Sequence, residues 1–342
     1  MYQTAVEPLA KGEGEVRGRL DSYTSRFGRW NELASVRRKP QRSFESSGTV
    51  YFPPELYPVA MHPLVTDCGD GRVEWLLLRR LYGYLDFTSE LESSAVIPVA
   101  TAISRGRSGL QLPERMKADA FKIVTDEAWH AQVSYDFAHE IELASGVPQA
   151  FPDDDPPAFV GRLGALREEL PHEIRGVEAM VFAIVSETLI SGILSDIPRD
   201  GRLPRSVREQ VRDHAEDEGR HHVYFRSLLH HLWAALTAQE RRAVGPQVPA
   251  AIHAFLEPDY ARVAQDLRTL GLTSGQIEQV LAESWPKEQL ARQMADASTG
   301  LVRYFAEVGA LDDGKTRERF EEAGLMGHTA GEERENGHCG DR

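Results

Sequence analysis

The sequence is poor in cysteine, in basic residues and in strand-like alternation, and each shortage removes a class of protein. Only Cys68 and Cys339 occur in 342 residues, and they stand far apart. They cannot frame a disulfide-stapled domain, and no CxxC pair is present to hold zinc. A reducing, cytoplasmic setting is the expectation. Lys and Arg number 39 against 53 Asp and Glu, a formal net charge of −14. Nucleic-acid binders carry a basic face, so no nucleic-acid partner is expected. An anionic membrane surface is disfavoured for the same reason. The longest apolar stretches, such as Val177 to Leu194, are broken by glutamate and serine, so no transmembrane span is expected. Residues 1–19 carry charges throughout and lack an apolar h-region, so no secretory signal is expected either.

What the chain does contain is helical periodicity. Residues 1–70 read as a leader helix ending near Lys39-Pro40, then a wrapping segment punctuated by Gly48, Pro53, Pro54, Pro58, Pro63 and Gly69. Residues 71–311 read as a helical bundle domain. Its long helices are placed at 73–105 with a kink at Pro98, from Pro113 to Gly146, at 172–196, and from Pro204 to about Leu236. Further helices are expected at 158–168, 246–270, 274–283 and 287–309, with a loop at 151–157. The polar, glycine-rich residues 312–342 read as a disordered tail. The fold class is therefore all-α, a bundle with additional packing helices.

Acidic residues interrupt the apolar stripes of the four long helices. One stripe reads Val177, Met180, Ile184, Glu187, Ile190, Leu194, the spacing of a single buried helix face. The first helix gives Leu81, Leu85, Ser89, Glu92, Val96, Val99, Ile103. The second gives Ala120, Val124, Glu127, His130 or Ala131, Ser134, Phe137. The fourth gives Val207, Val211, His214, Glu218, His221, Phe225, Leu228, Leu232. A lone buried carboxylate costs several kcal/mol or stays protonated, so four of them call for cations among them.

One glutamate from each of two helices, plus Glu-x-x-His from each of the others, is the ligand set of ferritin-like di-iron carboxylate proteins. Four carboxylates balance two divalent irons, and imidazole with carboxylate suits iron, or manganese as its rival. An acidic-x-x-His match alone is weak, because 53 acids and 12 histidines in 342 positions give about two by chance. Asp136/His139, Glu169/His172 and Glu335/His338 are set aside, as off the face, at a helix start and in the tail respectively. The fuller Asp-Glu-x-x-His occurs twice, as Asp126-Glu127-Ala128-Trp129-His130 and Asp217-Glu218-Gly219-Arg220-His221. Each preceding aspartate is placed to accept the second N–H of a histidine on a neighbouring helix. Trp129 is expected to face away from the centre. His214 shares its face with Glu218 and His221, as a core histidine or as a third imidazole ligand. Convergence of all three would be helped by a π-bulge in that helix.

The seven positions Glu92, Glu127, His130, Glu187, His214, Glu218 and His221, in this order and spacing, resemble the di-iron N-oxygenases that include p-aminobenzoate N-oxygenase. The resemblance covers roughly residues 70–310 and includes the additional histidine. It implies a ribonucleotide-reductase-like di-iron bundle in which all seven residues are iron ligands. It also implies an O2-dependent oxidation of an amine, in the aryl series to hydroxylamine, nitroso and nitro levels, through a peroxo-diferric species in secondary metabolism. The electrons would come from an external donor, since the chain has no flavin or nicotinamide fingerprint.

A substrate cavity lined by Ser89, Val96, Leu194 and the 287–309 helix is expected, with Arg292 and Tyr304 as candidates for a substrate carboxylate. The run Arg37 to Arg42 reads as a solvated helix end. A homodimer is the default assembly. Rival readings are a di-iron C–H hydroxylase or desaturase, a ferritin-like metal-binding protein, and a radical subunit using Tyr224.

Overall fold

The computed structural model describes residues 23–149 and 156–326, and among them there is helix and loop but no strand. Twelve helices longer than one turn follow one another among the described residues. They are α1 (Asp70–Glu90), α2 (Ile97–Ser104), α3 (Glu114–Ser145), α4 (Ala158–Glu169), α5 (Val177–Ile193) and α6 (Arg205–Ala235). After them come α7 (Ala238–Val244), α8 (Val248–Leu256), α9 (Tyr260–Thr269), α10 (Ser274–Ser284), α11 (Lys287–Glu307) and α12 (Gly314–Glu322). The bundle consists of α1 and α2 packed on α3, and α5 packed on α6. The remaining helices cover its flanks, with α8 against α4 and α5 and α11 against α5. Among the described residues no helix is long and apolar enough to cross a membrane.

Helix ends follow local chemistry. The α3 helix starts after Pro113 and stops at Gly146, whose φ of 68° is open to glycine at little cost. Gly176, with φ 106°, turns the chain into α5. The expected single helix at 246–270 is divided, because Pro258 drives Glu257 into extended backbone between α8 and α9. The 172–196 segment likewise begins with a separate 3-10 turn, His172–Ile174.

Two further expectations fail in informative ways. The irregularity of the first long helix is a π turn, Leu91–Val96, that joins α1 to α2, while Pro98 sits harmlessly in the first turn of α2. The expected bulge in the fourth helix is absent, since α6 runs as α-helix from Arg205 to Ala235. The tail reading also needs correction. Residues 314–322 form α12, which packs back with Thr316 and Phe320 buried and Leu325 following. Its apolar residues are few but fall on one side, so a compositional reading overlooked them. Residues 327–342, with His328, His338 and Cys339, lie outside the described residues.

The described part of the leader, from residue 23, contains two single turns, Trp30–Leu33 and Ser35–Arg38, and the second lies across α3 and α6. Its basic run is a clamp more than a solvated end. Lys39 meets Asp213 at 2.8 Å and also Glu216. Arg42 reaches Asp213 at 2.8 Å and Glu209 at 2.9 Å. Arg37 and Arg38 remain exposed.

Candidate metal centre

The four long helices bring Glu92, Glu127, His130, Glu187, His214, Glu218 and His221 to one place in the bundle, all of them buried. Their ligand atoms fall into two groups, each within 4.8 Å. One is Glu92, Glu127, His130 and His214, and the other is Glu127, Glu187, Glu218 and His221. Glu127 belongs to both. Its Oε2 lies 2.8 Å from His130 Nδ1 and its Oε1 2.7 Å from His221 Nδ1. Glu218 Oε1 also stands between the groups, 3.1 Å from His214 Nε2, 3.3 Å from His221 Nδ1 and 3.5 Å from His130 Nδ1. Glu92 and Glu187 are the outer carboxylates. The arrangement is lopsided, with two imidazoles on one side and one on the other.

The local backbone explains the convergence. Glu127/His130 and Glu218/His221 each span one helical turn on one face. Glu92 reaches the centre from the π turn, where the extra residue re-aims the side chain. His214 needs no such device, because four and seven residues place it on the face of Glu218 and His221.

Behind the histidines the two Asp-Glu-x-x-His motifs exchange partners. His221 Nε2 lies 3.2 Å from Asp126, and His130 Nε2 lies 3.1 Å from Asp217. Each aspartate thereby fixes the ring whose other nitrogen faces the centre. The leader supports both aspartates. Trp30 Nε1 donates to the two oxygens of Asp126 at 2.9 Å, and the Ser35 backbone N–H donates to Asp217 at 3.2 Å. No short-range motif betrays these contacts, since Trp30 lies 96 residues from Asp126. Arg220 adds a further donor to Asp217.

The electrostatics are those of an uncompensated acid cluster. Burial pushes Glu92 and Glu187 well above the ordinary carboxylate range, and the neighbouring carboxylates push the same way. Burial works likewise on Glu218, but His221 and His214 hold it well below that range. Burial opposes protonation of His130, yet Asp217 and Glu127 raise it to about 10. Burial and the neighbouring His130 charge lower His214. Protons thus stand in for missing positive charge. Both oxygens of Glu92, Glu187 and Glu218, Oε1 of Glu127, Nε2 of His214 and Nδ1 of His221 are buried without a well-aligned hydrogen bond, although several of them crowd one another. Orphaned atoms of this kind, all aimed inward from carboxylates and imidazoles, fit a pair of bound cations.

The sequence profile described as p-aminobenzoate N-oxygenase AurF matches residues 38–309. The chain belongs to that family. A curated relative, the 4-aminobenzoate N-oxygenase of Streptomyces thioluteus, is 23% identical over 227 residues, 65% of this chain. The aligned part spans 66% of that relative, just under two thirds of its length.

In this member of the p-aminobenzoate N-oxygenase family a cavity of about 410 Å³ lies beside the centre. Thr88, one turn before Glu92, and Ile190, three residues after Glu187, form part of its lining. Tyr84, Phe87, Phe159, Phe255 and Trp285 supply aromatic wall. The expected lining is only partly present. Leu290, Gln293, Met294 and Ala297 of α11 face the cavity, whereas Ser89, Val96 and Leu194 do not line it. Arg292 is exposed, because it falls off the stripe that α11 turns inward. Tyr304 is buried elsewhere. Its hydroxyl meets His222 at 3.2 Å and its ring lies under Arg226 at 4.3 Å. Neither residue is where a substrate carboxylate in this cavity would need it. Tyr84 and Thr88 escaped the sequence reading, although both stand on the row of fours that ends at Glu92. Burial raises the Tyr84 phenol, so it remains a donor at neutral pH. Trp129 is half-buried and lines a narrow crevice under the leader with Ser35, Lys39, His130 and His214. The Tyr224 hydroxyl points away, donating to the Met116 carbonyl at 3.1 Å.

Proposed function

We propose that the chain is an O2-dependent N-oxygenase that oxidises an amine, in the first place an arylamine, at two iron ions. Glu92, His130 and His214 would hold one ion, Glu187 and His221 the other, with Glu127 and Glu218 between them. The observation that carries this reading is the set of inward-facing orphaned carboxylate and imidazole atoms, in two groups that share Glu127. The name of the curated relative supports the choice of an amine nitrogen over a C–H bond as the site of oxidation.

The iron pair would supply oxygen activation and electron transfer. The protein's own part is positional. Asp126 and Asp217 hold His221 and His130 in the tautomer that leaves Nδ1 facing inward. Aromatic side chains wall the adjoining cavity, and the Tyr84 O–H and Thr88 offer polar contacts in its lining. Electrons come from an external reductant or donor protein, manganese is the rival metal, and the setting is cytoplasmic. A homodimer is part of the same reading, with the exposed Phe121, Tyr135 and Leu143 of α3 as the surface to test first.

Metal analysis should return two irons per chain. Incubation of the loaded protein with air, a chemical reductant and a panel of arylamines, followed by mass spectrometry, should give N-oxygenated products. Oxygen appearing on carbon in the same panel would favour a hydroxylase. Iron uptake without any organic product would favour storage.

A further inference from the structure

Four arginines line the cavity: Arg79, Arg80, Arg162 and Arg262. Three of them have carboxylate partners. Arg79 meets Asp266 at 2.9 Å, Arg162 meets Glu257 at 3.2 Å, and Arg262 meets Asp86 at 2.6 Å. Arg80 differs. Among the described residues it makes no hydrogen bond and no ion pair. Its guanidinium lies over the rings of Phe52 and Tyr57, at 4.9 and 5.8 Å from their centroids. Burial lowers its pKa from the usual arginine value, the mark of a cation short of compensation. A guanidinium is a planar fork that matches a carboxylate or phosphate in two hydrogen bonds.

Its position adds a length. Arg80, Tyr84 and Thr88 stand four residues apart on one inclined row of α1, and Glu92 follows four residues later in the π turn that continues it. The first three line the cavity and the fourth belongs to the metal centre. Twelve residues of helix rise roughly 18 Å, and because both side chains lean toward the helix N-terminus the lean leaves that separation largely unchanged. A one-ring amino acid cannot place its nitrogen beside Glu92 and its anion on Arg80 at once. The volume of about 410 Å³ falls in the range of roughly 300–1,000 Å³ that houses drug-sized ligands.

We infer that the cavity takes an elongated amine, longer than a single-ring aminobenzoate, whose distal carboxylate or other anionic group is bound by Arg80. That this ligand is a substrate rests on the oxygenase reading above; that the pocket selects a long anion does not. Arg80 would act as an anchor at the far end, and the distance along α1 would select the chain length.

Calorimetric titration of the purified full-length chain, without reductant so that nothing turns over, decides the matter. The probes are 4-aminobenzoate, 4′-aminobiphenyl-4-carboxylate and the methyl ester of the latter. The long acid should bind on the order of tenfold or more tighter than either its ester or 4-aminobenzoate. Arg80→Gln should bring the acid down to the ester's affinity and leave the ester unchanged, which also shows that the cavity survives. Arg80→Lys should restore part of the preference. Equal binding of acid and ester by the wild-type chain overturns the inference, even if Arg80→Gln fails to fold. So does an acid preference that persists in Arg80→Gln. Acid selection by a chain that holds no iron would keep the anchor and sink the oxygenase. Amine oxidation with no acid–ester difference would do the reverse.

Discussion

Arg79 and Asp266 meet at 2.9 Å between α1 and α9, and Arg79 donates to the backbone carbonyls of Pro148 and Gln149 as well. Further along α1 and its π turn, the seven-residue centre is buried as deeply, yet most of its carboxylate oxygens have no donor. The same residue classes at similar depth therefore sit in two different accounts of charge. In the first, the fold itself supplies the counter-charge, and the cluster explains itself as structure. In the second, four carboxylates crowd three imidazoles and the imbalance points to something added from outside. Burial alone identifies neither. The difference lies in whether the partner atoms are already present in the chain.

That contrast is sharpest when the added component is taken away. Each tightly bound ion should contribute about 4 kcal/mol when present at a thousandfold above its dissociation constant. Chelation should therefore lower the melting temperature by roughly 10 °C or more. Glu127→Ala, which removes the carboxylate common to both groups, should cut the iron content from two to below one per chain. His214→Ala should retain at least one iron. A loaded and a stripped protein that melt together would dissolve the distinction between the two clusters.

Acidity offers a second reading of the same difference. In the metal-free chain His130 holds its proton up to about 10, against an ordinary 6.5. Its folded value is raised, so its contribution to stability is complete below about 6.5 and is lost as pH climbs through about 10. In the loaded chain His130 would be a neutral ligand and make no such contribution. The melting temperatures of the two forms should accordingly diverge as pH rises across that window, and iron binding near pH 7 should release protons. A gap that narrows with rising pH would contradict the assignment of His130.

The compensated pair should behave in the opposite manner. Arg79→Met leaves Asp266 buried without its main partner, at a cost of about 3–5 kcal/mol in stability. Iron content should stay at two, because no atom of the centre depends on Arg79. Loss of iron in that variant would mean the two clusters are not independent. Asp126→Asn acts on the centre from behind. By weakening the hold on His221 it should reduce iron affinity about 10- to 100-fold while the fold persists.

Much of the bundle was legible because long amphipathic helices repeat their signal many times. The α3 boundaries at Pro113 and Gly146 follow from one proline and one glycine. The seven inward residues could be picked out because an acid in an apolar stripe is conspicuous against its own helix. Contacts between distant segments were not legible. Nothing local to Trp30 or Lys39 says that the leader crosses α3 and α6, and nothing local to Arg292 says that α11 turns it to solvent. The π turn was also hidden. Leu91 to Val96 has the composition of ordinary helix, and only the demand that Glu92 meet residues from three other helices reveals it. The short α12 went unread for want of length, its buried Phe320 and Thr316 being too few to mark a period.

The smallest effect expected concerns Trp30, which ties the leader to the centre through Asp126. Trp30→Phe deletes the indole N–H but keeps an aromatic ring near Arg37, so stability should fall by about 1 kcal/mol or less. Iron affinity should drop only a few-fold, since Asp126 still accepts from His221. The sign of the mechanism lies in the double variant. If Trp30 acts by orienting Asp126, its effect on iron affinity should vanish in an Asp126→Asn background, because neighbours in one hydrogen-bond network are not additive. An undiminished cost in both backgrounds would make Trp30 a packing residue of the leader. The centre would then owe its geometry to the four helices alone.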